Sequence, residues 1–453
     1  MKTLVSLEEL KRLLDDEIVQ RKEEGYDVAE VERRLSESDR KNTVELEGFW
    51  KELEGCHLRP DFHYNEPPDL KGIEAERPKE AQRLKARLSD DELYDKIYGG
   101  WLGRCAGCLL GKPVEGLRKE QIQKWLEVAD AYPLEDYFPP ILPLPDDSPK
   151  WLSERLSSIE RSTRKTGRGV LLGQIDGMAR DDDTDYTIMG LHILETHGFE
   201  FTTMNVGESW LYLLPYWRVY TAERVAYRNL VNGLLPPESA TFMNPYREWI
   251  GAQIRADMWG YATPGRPYLA AEFAFRDARL SHVKNGIYGE MFVSAMVSAA
   301  FTTDDIDEII DAGLSAIPKS SRLTEAVRDT LNWGREYDSW EDAWIKVMDK
   351  YGQYHSVHTI NNAAIVVLGL IYGEGDYGKS ISIGVMGGLD TDCNGATVGS
   401  ILGVILGAKG LPEKWIVPLK DRIESFVIGY NGSRISELAD RTFGLAKRSP
   451  GGS

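Results

Sequence analysis

The sequence predicts an all-α protein, and three observations carry that reading. Apolar residues recur at spacings of three and four along the 453 residues, and no segment shows the sustained alternation of a half-buried strand. Gly99, Gly103, Gly107 and Gly111 recur every fourth residue, and so do Gly395, Gly399, Gly403 and Gly407. Residues four apart share one helix face, so each ladder marks a face stripped of side chains. Two acidic clusters, Asp181-Asp182-Asp183-Thr184-Asp185 and Asp390-Thr391-Asp392, each stand directly before an apolar run, where a helix N-terminus favours negative charge.

Composition narrows the function. A net charge of −18 argues against nucleic acid or an anionic membrane surface as a bulk partner. The first thirty residues alternate charge with Leu and Val, so no signal peptide is expected. The longest apolar stretch, 396–408, is too short for a membrane span and rich in glycine. Four cysteines, Cys56, Cys105, Cys108 and Cys393, make no disulfide framework, and a reducing cytoplasm is the expected compartment.

The elements follow in order. Leu7, Leu10, Leu14 and Ile18, then Val28, Val31 and Leu35, predict charged helices that form a cap or an arm for homo-oligomerisation. Pro60, Pro67, Pro68 and Pro78 mark a linker. It carries Cys56, His57 and His63, three soft ligands without a fourth at zinc-site spacing. Residues 1–88 are thus a helical extension with a proline-rich linker, 89–442 the main domain, and 443–453 a disordered tail. Ser89-Asp90-Asp91-Glu92 predicts the start of the first glycine helix. Each glycine costs that helix about 0.5–1 kcal/mol against alanine, which close backbone approach would explain. The two ladders are therefore expected to touch, bringing Gly111-Lys112-Pro113-Val114-Glu115 beside Asp390 and Asp392. Cys105 and Cys108 lie inside this helix and read as packing residues. Residues 117–165, with prolines between 133 and 149, read as an insertion or lid over one face.

The acidic clusters carry the chemistry. Crowded carboxylates repel unless solvated or neutralised by cations. Joined in space, the clusters supply at least four oxygens, enough for one or two hard divalent ions such as Mg²⁺ or Mn²⁺. Solvated acidic turns and helix caps are the alternative reading.

Together these stretches resemble the ADP-ribosylglycohydrolase family over roughly residues 92–440. The resemblance rests on Gly103 to Gly111 with Glu115, Asp181-Asp182-Asp183-Thr184, Gly251 to Gly260 with Arg255, Ser281-His282, Gly388 to Asn394 and Gly410-Leu411-Pro412. It implies an orthogonal multi-helix bundle. It implies a hydrolase of the glycosidic bond of an ADP-ribosyl group, with two Mg²⁺ or Mn²⁺ ions between the Asp motifs. Asp182, Asp183, Asp390 and Asp392 are then the ligands, with Asp181 and Cys393 in the family's Thr positions as further candidates. Cys108 stands where the family has Asp, and Leu389 is an extra residue. Glu115, the carboxylate left after ligand assignment, is the candidate general acid or base beside Asp183. Gly251, Arg255 and His282 are the candidate substrate contacts, the Arg meeting a diphosphate. The same ribose grip would suit a nucleoside or other N-riboside, and a non-catalytic metal-containing binder of ribosyl ligands is the third reading.

Overall fold

A computed structural model describes residues 5–78 and 88–450. Among the described residues there are α-helices and short 3-10 turns, with isolated β-bridges in place of any strand. The two glycine helices form the spine. The first, Asp90–Gly111, opens with a reciprocal cap in which Ser89 and Glu92 satisfy each other's backbone N–H groups. The second is Thr391–Gly410. They run antiparallel with their glycine faces together. A Cβ on Gly103 would lie 2.1 Å from the Gly399 carbonyl oxygen, and one on Gly107 would lie 1.9 Å from that of Gly395. No side chain fits at such distances, so the ladders exist because backbone meets backbone. At the far end Gly111 reaches Thr391, whose hydroxyl donates to the Gly111 carbonyl at 2.8 Å. The end of the first helix therefore delivers residues 112–115 to the start of the second, as the ladders predict.

The remaining helices wrap this pair. Tyr377 donates to the Gly103 carbonyl at 2.8 Å, and the Trp101 indole donates to Thr442 at 3.1 Å. Trp125 of helix Lys119–Val128, and Tyr137 and Phe138 on the way to helix Lys150–Thr166, enter the main core, and Tyr137 donates to the Trp415 carbonyl at 2.7 Å. The segment expected as a covering insertion is thus anchored in the core by its aromatic residues. The last helix, Ile435–Ala446, carries the chain past the expected start of the tail at 443, because Leu445 and Ala446 have an apolar wall to cover. Residues 451–453 of that tail lie outside the described residues.

The extension builds helices Leu7–Glu23, Ala29–Glu37, Thr43–Glu54 and Leu70–Glu76. Its apolar stripe, read as a candidate oligomerisation face, closes on Ala222, Val225, Met243 and Tyr246 of this chain. Buried ion pairs bind it further. Arg247 meets Glu17 at 2.5 Å and Glu24 at 3.0 Å, and Arg322 meets Glu66 at 2.7 Å and Glu248 at 2.8 Å. Among the described residues no single helix is long and apolar enough to cross a membrane.

Candidate active site

The first acidic cluster is the N-terminus of helix Asp182–His197. Asp181 caps it, accepting from the Asp183 backbone N–H at 3.2 Å. Asp183 has no solvent exposure. It is held by Arg104, whose guanidinium donates to its carbonyl at 2.8 Å and to its Oδ1 at 3.3 Å. Arg104 also meets Asp257 at 2.7 Å. An arginine inside a glycine-lined apolar helix has no solvent outlet, so it needs buried carboxylates, and these two supply them. Asp185 points elsewhere, to Arg180 at 2.8 Å and to the Ser425 hydroxyl at 2.6 Å.

The second cluster is the N-terminus of the second glycine helix. Asp390 stands at its cap position, its own N–H held by the Asn362 side-chain oxygen at 3.1 Å, and Asn394 donates to the same oxygen at 2.9 Å. Leu389, the extra residue of the motif, adopts a left-handed conformation with φ of 65°. Such a backbone is strained for a branched side chain and is held here by its surroundings.

The clusters meet. The Cys393 thiol lies 3.2 Å from Oδ2 of Asp183 and donates to it. Two groups of ligand atoms result, each within 4.8 Å: Cys108, Asp181 and Asp183, and Asp390, Asp392 and Cys393. All six residues are buried. Oδ1 of Asp392 has no hydrogen-bond partner. An orphaned, buried carboxylate oxygen facing other acids is the environment a cation relieves, so these residues fit a divalent ion. Burial first, then the charges of Glu115, Asp181, Asp390 and Asp183, push Asp392 well above the usual carboxylate range.

Lys112 is the cation already present. Its ammonium binds Oδ2 of Asp181. Burial opposes that charge, but Asp181 and Asp392 outweigh it and hold the ammonium above its usual range. Glu115 follows the first helix over the same spot. Its segment is tied down by Arg155, which donates to the carbonyls of Pro113 at 2.7 Å and Glu115 at 3.0 Å. The Glu115 residue is exposed overall. Crowding of its carboxyl by protein atoms, then the charges of Asp390 and Asp181, pushes it up to about 7.

Asp182 joins neither ligand group, its side chain 30% exposed and 3.7 Å from Arg180, but it stays beside the cluster, where the charges of Asp181, Lys112 and Glu115 act on it. The structure separates the remaining expected contacts from the cluster. Arg255 is buried in its own network, meeting Asp277 at 2.6 Å, Glu223 at 2.9 Å and the Ser281 hydroxyl at 3.1 Å. Its guanidinium lies 5.4 Å from the Tyr186 ring, behind the acidic helix. That guanidinium is occupied by protein carboxylates, which leaves no free fork for a diphosphate. His282 accompanies it, with Nδ1 2.8 Å from the Ser281 hydroxyl. Gly251 lets Glu223 approach, since a Cβ there would sit 2.1 Å from its carboxylate. Cys56, His57 and His63 appear in no ligand group among the described residues.

Sequence reasoning missed Arg104, Cys108, Lys112 and Asn362 as site residues. A charge inside an apolar glycine helix was the available signal for Arg104, and Cys108 in an acid's position was the signal for the thiol. Asn362 carried no signal, because its role depends on a neighbour 28 residues away.

A family model described as ADP-ribosylglycohydrolase matches residues 89–451. A solved structure described as "ADP-ribosylglycohydrolase-related protein complex" is similar at a TM-score of 0.47 and 17% identity, covering 79% of this chain and 99% of that one. No curated protein matches the chain. With the family match spanning all of the sequence from the first glycine helix to the last helix, both acidic motifs included, the chain belongs to the ADP-ribosylglycohydrolase family.

Proposed function

We propose that the chain is a divalent-metal-dependent hydrolase that cleaves the glycosidic bond of an ADP-ribosyl group. The observation that supports this reading most is the grouping of Asp390, Asp392 and Cys393, with Asp183 on the Cys393 thiol and Oδ1 of Asp392 buried without a partner. Mg²⁺ or Mn²⁺ bound there supplies a Lewis acid for ribose hydroxyls and for water. The chain's residues do the rest. Asp390 and Asp392 hold their places because the second helix starts at a point fixed by Asn362 and by Thr391 on Gly111. Asp183 is immobilised by Arg104, so the first cluster cannot drift from the second.

Glu115 is the residue able to move a proton. Burial and the charges of Asp390 and Asp181 raise its carboxyl to about 7 when no ion is bound, so it holds a proton more readily than an ordinary glutamate. It can take a proton from water as the sugar becomes oxocarbenium-like, or give one to the leaving group. The observations favour the ADP-ribosyl reading over a nucleoside because the family match covers the entire main domain. The test is turnover of an ADP-ribosylated protein and of a free nucleoside, each with Mn²⁺ and after exhaustive chelation. Metal-dependent release of ADP-ribose from the first substrate is the expected result. Full activity after chelation, or turnover of the nucleoside alone, contradicts the proposal.

A further inference from the structure

Two ligand groups stand side by side, yet they are not equivalent. In the first, both oxygens of Asp181 are occupied, Oδ1 by the Asp183 backbone N–H at 3.2 Å and Oδ2 by the Lys112 ammonium. A divalent ion there would have to share each oxygen of that carboxylate with a donor already in place. In the second, Oδ1 of Asp392 is buried without a partner.

We propose that Lys112 is the permanent cation of the first group, so the site holds one divalent ion, in the second group, where two ions would otherwise sit. The proposal rests on the metal-dependent reading above. Lys112 is well placed for the task. It stands at the C-terminal end of the first glycine helix, its neighbour is Pro113, and Arg155 clamps the carbonyl that follows. The backbone from which the ammonium reaches Asp181 is therefore fixed. A tethered monovalent charge neutralises Asp181 permanently, at any metal concentration, and repels a second divalent ion from the same few ångströms. The other carboxylate of the first group is engaged as well, Asp183 accepting from Arg104 on Oδ1 and from the Cys393 thiol on Oδ2, and the third member, Cys108, offers sulfur, which a hard ion binds poorly. In the second group, Asp390 and Asp392 offer carboxylates, with Asp183 bridging through the Cys393 contact.

The test counts Mn²⁺ bound to the full-length chain without substrate, by calorimetric titration and by the paramagnetic resonance signal of free Mn²⁺. Wild type should bind one ion per chain. Lys112→Met and Lys112→Gln, checked for folding by circular dichroism, should bind two. Asp181→Asn in the otherwise native chain should leave the first ion's affinity within about threefold, whereas Asp392→Asn should abolish it. Two ions in wild type, one ion in both folded Lys112 variants, or a tenfold loss of affinity in Asp181→Asn each overturns the proposal. If the Lys112 variants do not fold, the two Asp variants decide. Because no substrate is present, an incorrect ion count leaves the hydrolase reading standing, and failed turnover leaves the count standing.

Discussion

Arg104 fixes the site at the scale of one residue. It is fully buried and is shared by Asp183 and Asp257. Removing one partner of a buried ion pair strands the others in low dielectric. Arg104→Met should therefore destabilise the fold by about 3–5 kcal/mol, read as a shift in urea midpoint at constant slope. An unchanged midpoint would show that the two carboxylates find other partners. The same scale shows what sequence can and cannot reveal. Asp183, Asp390 and Asp392 were legible because like charges crowded before apolar runs demand an explanation. Arg255 was legible as a singular charge, but not its purpose: Asp277, Glu223 and Glu290 that neutralise it come from positions whose spacing says nothing of contact. Lys112 stood in plain view beside Glu115, and only the folded geometry reveals that its ammonium reaches Asp181.

The glycine helices are the element on which the site depends. Their pairing was fully legible, since two ladders of equal period are costly unless they meet. A methyl group at Gly103 would have to displace the backbone of the partner helix, not a flexible side chain. Gly103→Ala should accordingly destabilise by about 3 kcal/mol through overpacking. Gly444, in helix Ile435–Ala446, has nothing within 4 Å of its would-be Cβ, so Gly444→Ala should stabilise by about 0.5–1 kcal/mol. Thermal melting of both variants tests the pair, and equal shifts would contradict backbone contact as the ladder's cause. The insertion or lid expected over 117–165 is anchored in the core, which composition does not show. Its prolines signal irregular backbone, but the burial of Trp125, Tyr137 and Phe138 depends on a core that local composition does not describe.

At the scale of the molecule, the extension and the main domain are joined by charges sealed between them. The prolines of residues 60–78 read as a linker, yet Ile73 packs in the main core; the ion pairs of the extension were not legible, because Glu17, Glu24 and Glu66 look like ordinary solvated acids in sequence. Glu23 sits in this junction, 3.7 Å from His358. Burial first, then the charge of Glu248, pushes it up to about 8 from the ordinary 4.5. A carboxyl raised in the fold contributes stability fully below 4.5 and loses it as pH rises through about 8. His358, pushed down to about 3 by burial first, works in the opposite sense only below its ordinary 6.5. Between pH 6.5 and 8 wild type should thus lose up to about 2 kcal/mol that Glu23→Gln does not lose. Urea midpoints across that range check it, and parallel profiles for the two proteins would contradict it.

The central claim is that two acidic motifs from distant parts of the chain build one metal-dependent hydrolytic site. Asp392→Asn tests it most directly, because it removes a charge while nearly preserving shape. The measurement is turnover of an ADP-ribosylated substrate in Mn²⁺ alongside the metal-free melting temperature. Activity should fall by at least about 100-fold. Melting should hold or rise, since an unpartnered buried carboxylate no longer repels its neighbours. Wild-type turnover by a folded Asp392→Asn protein would contradict the account.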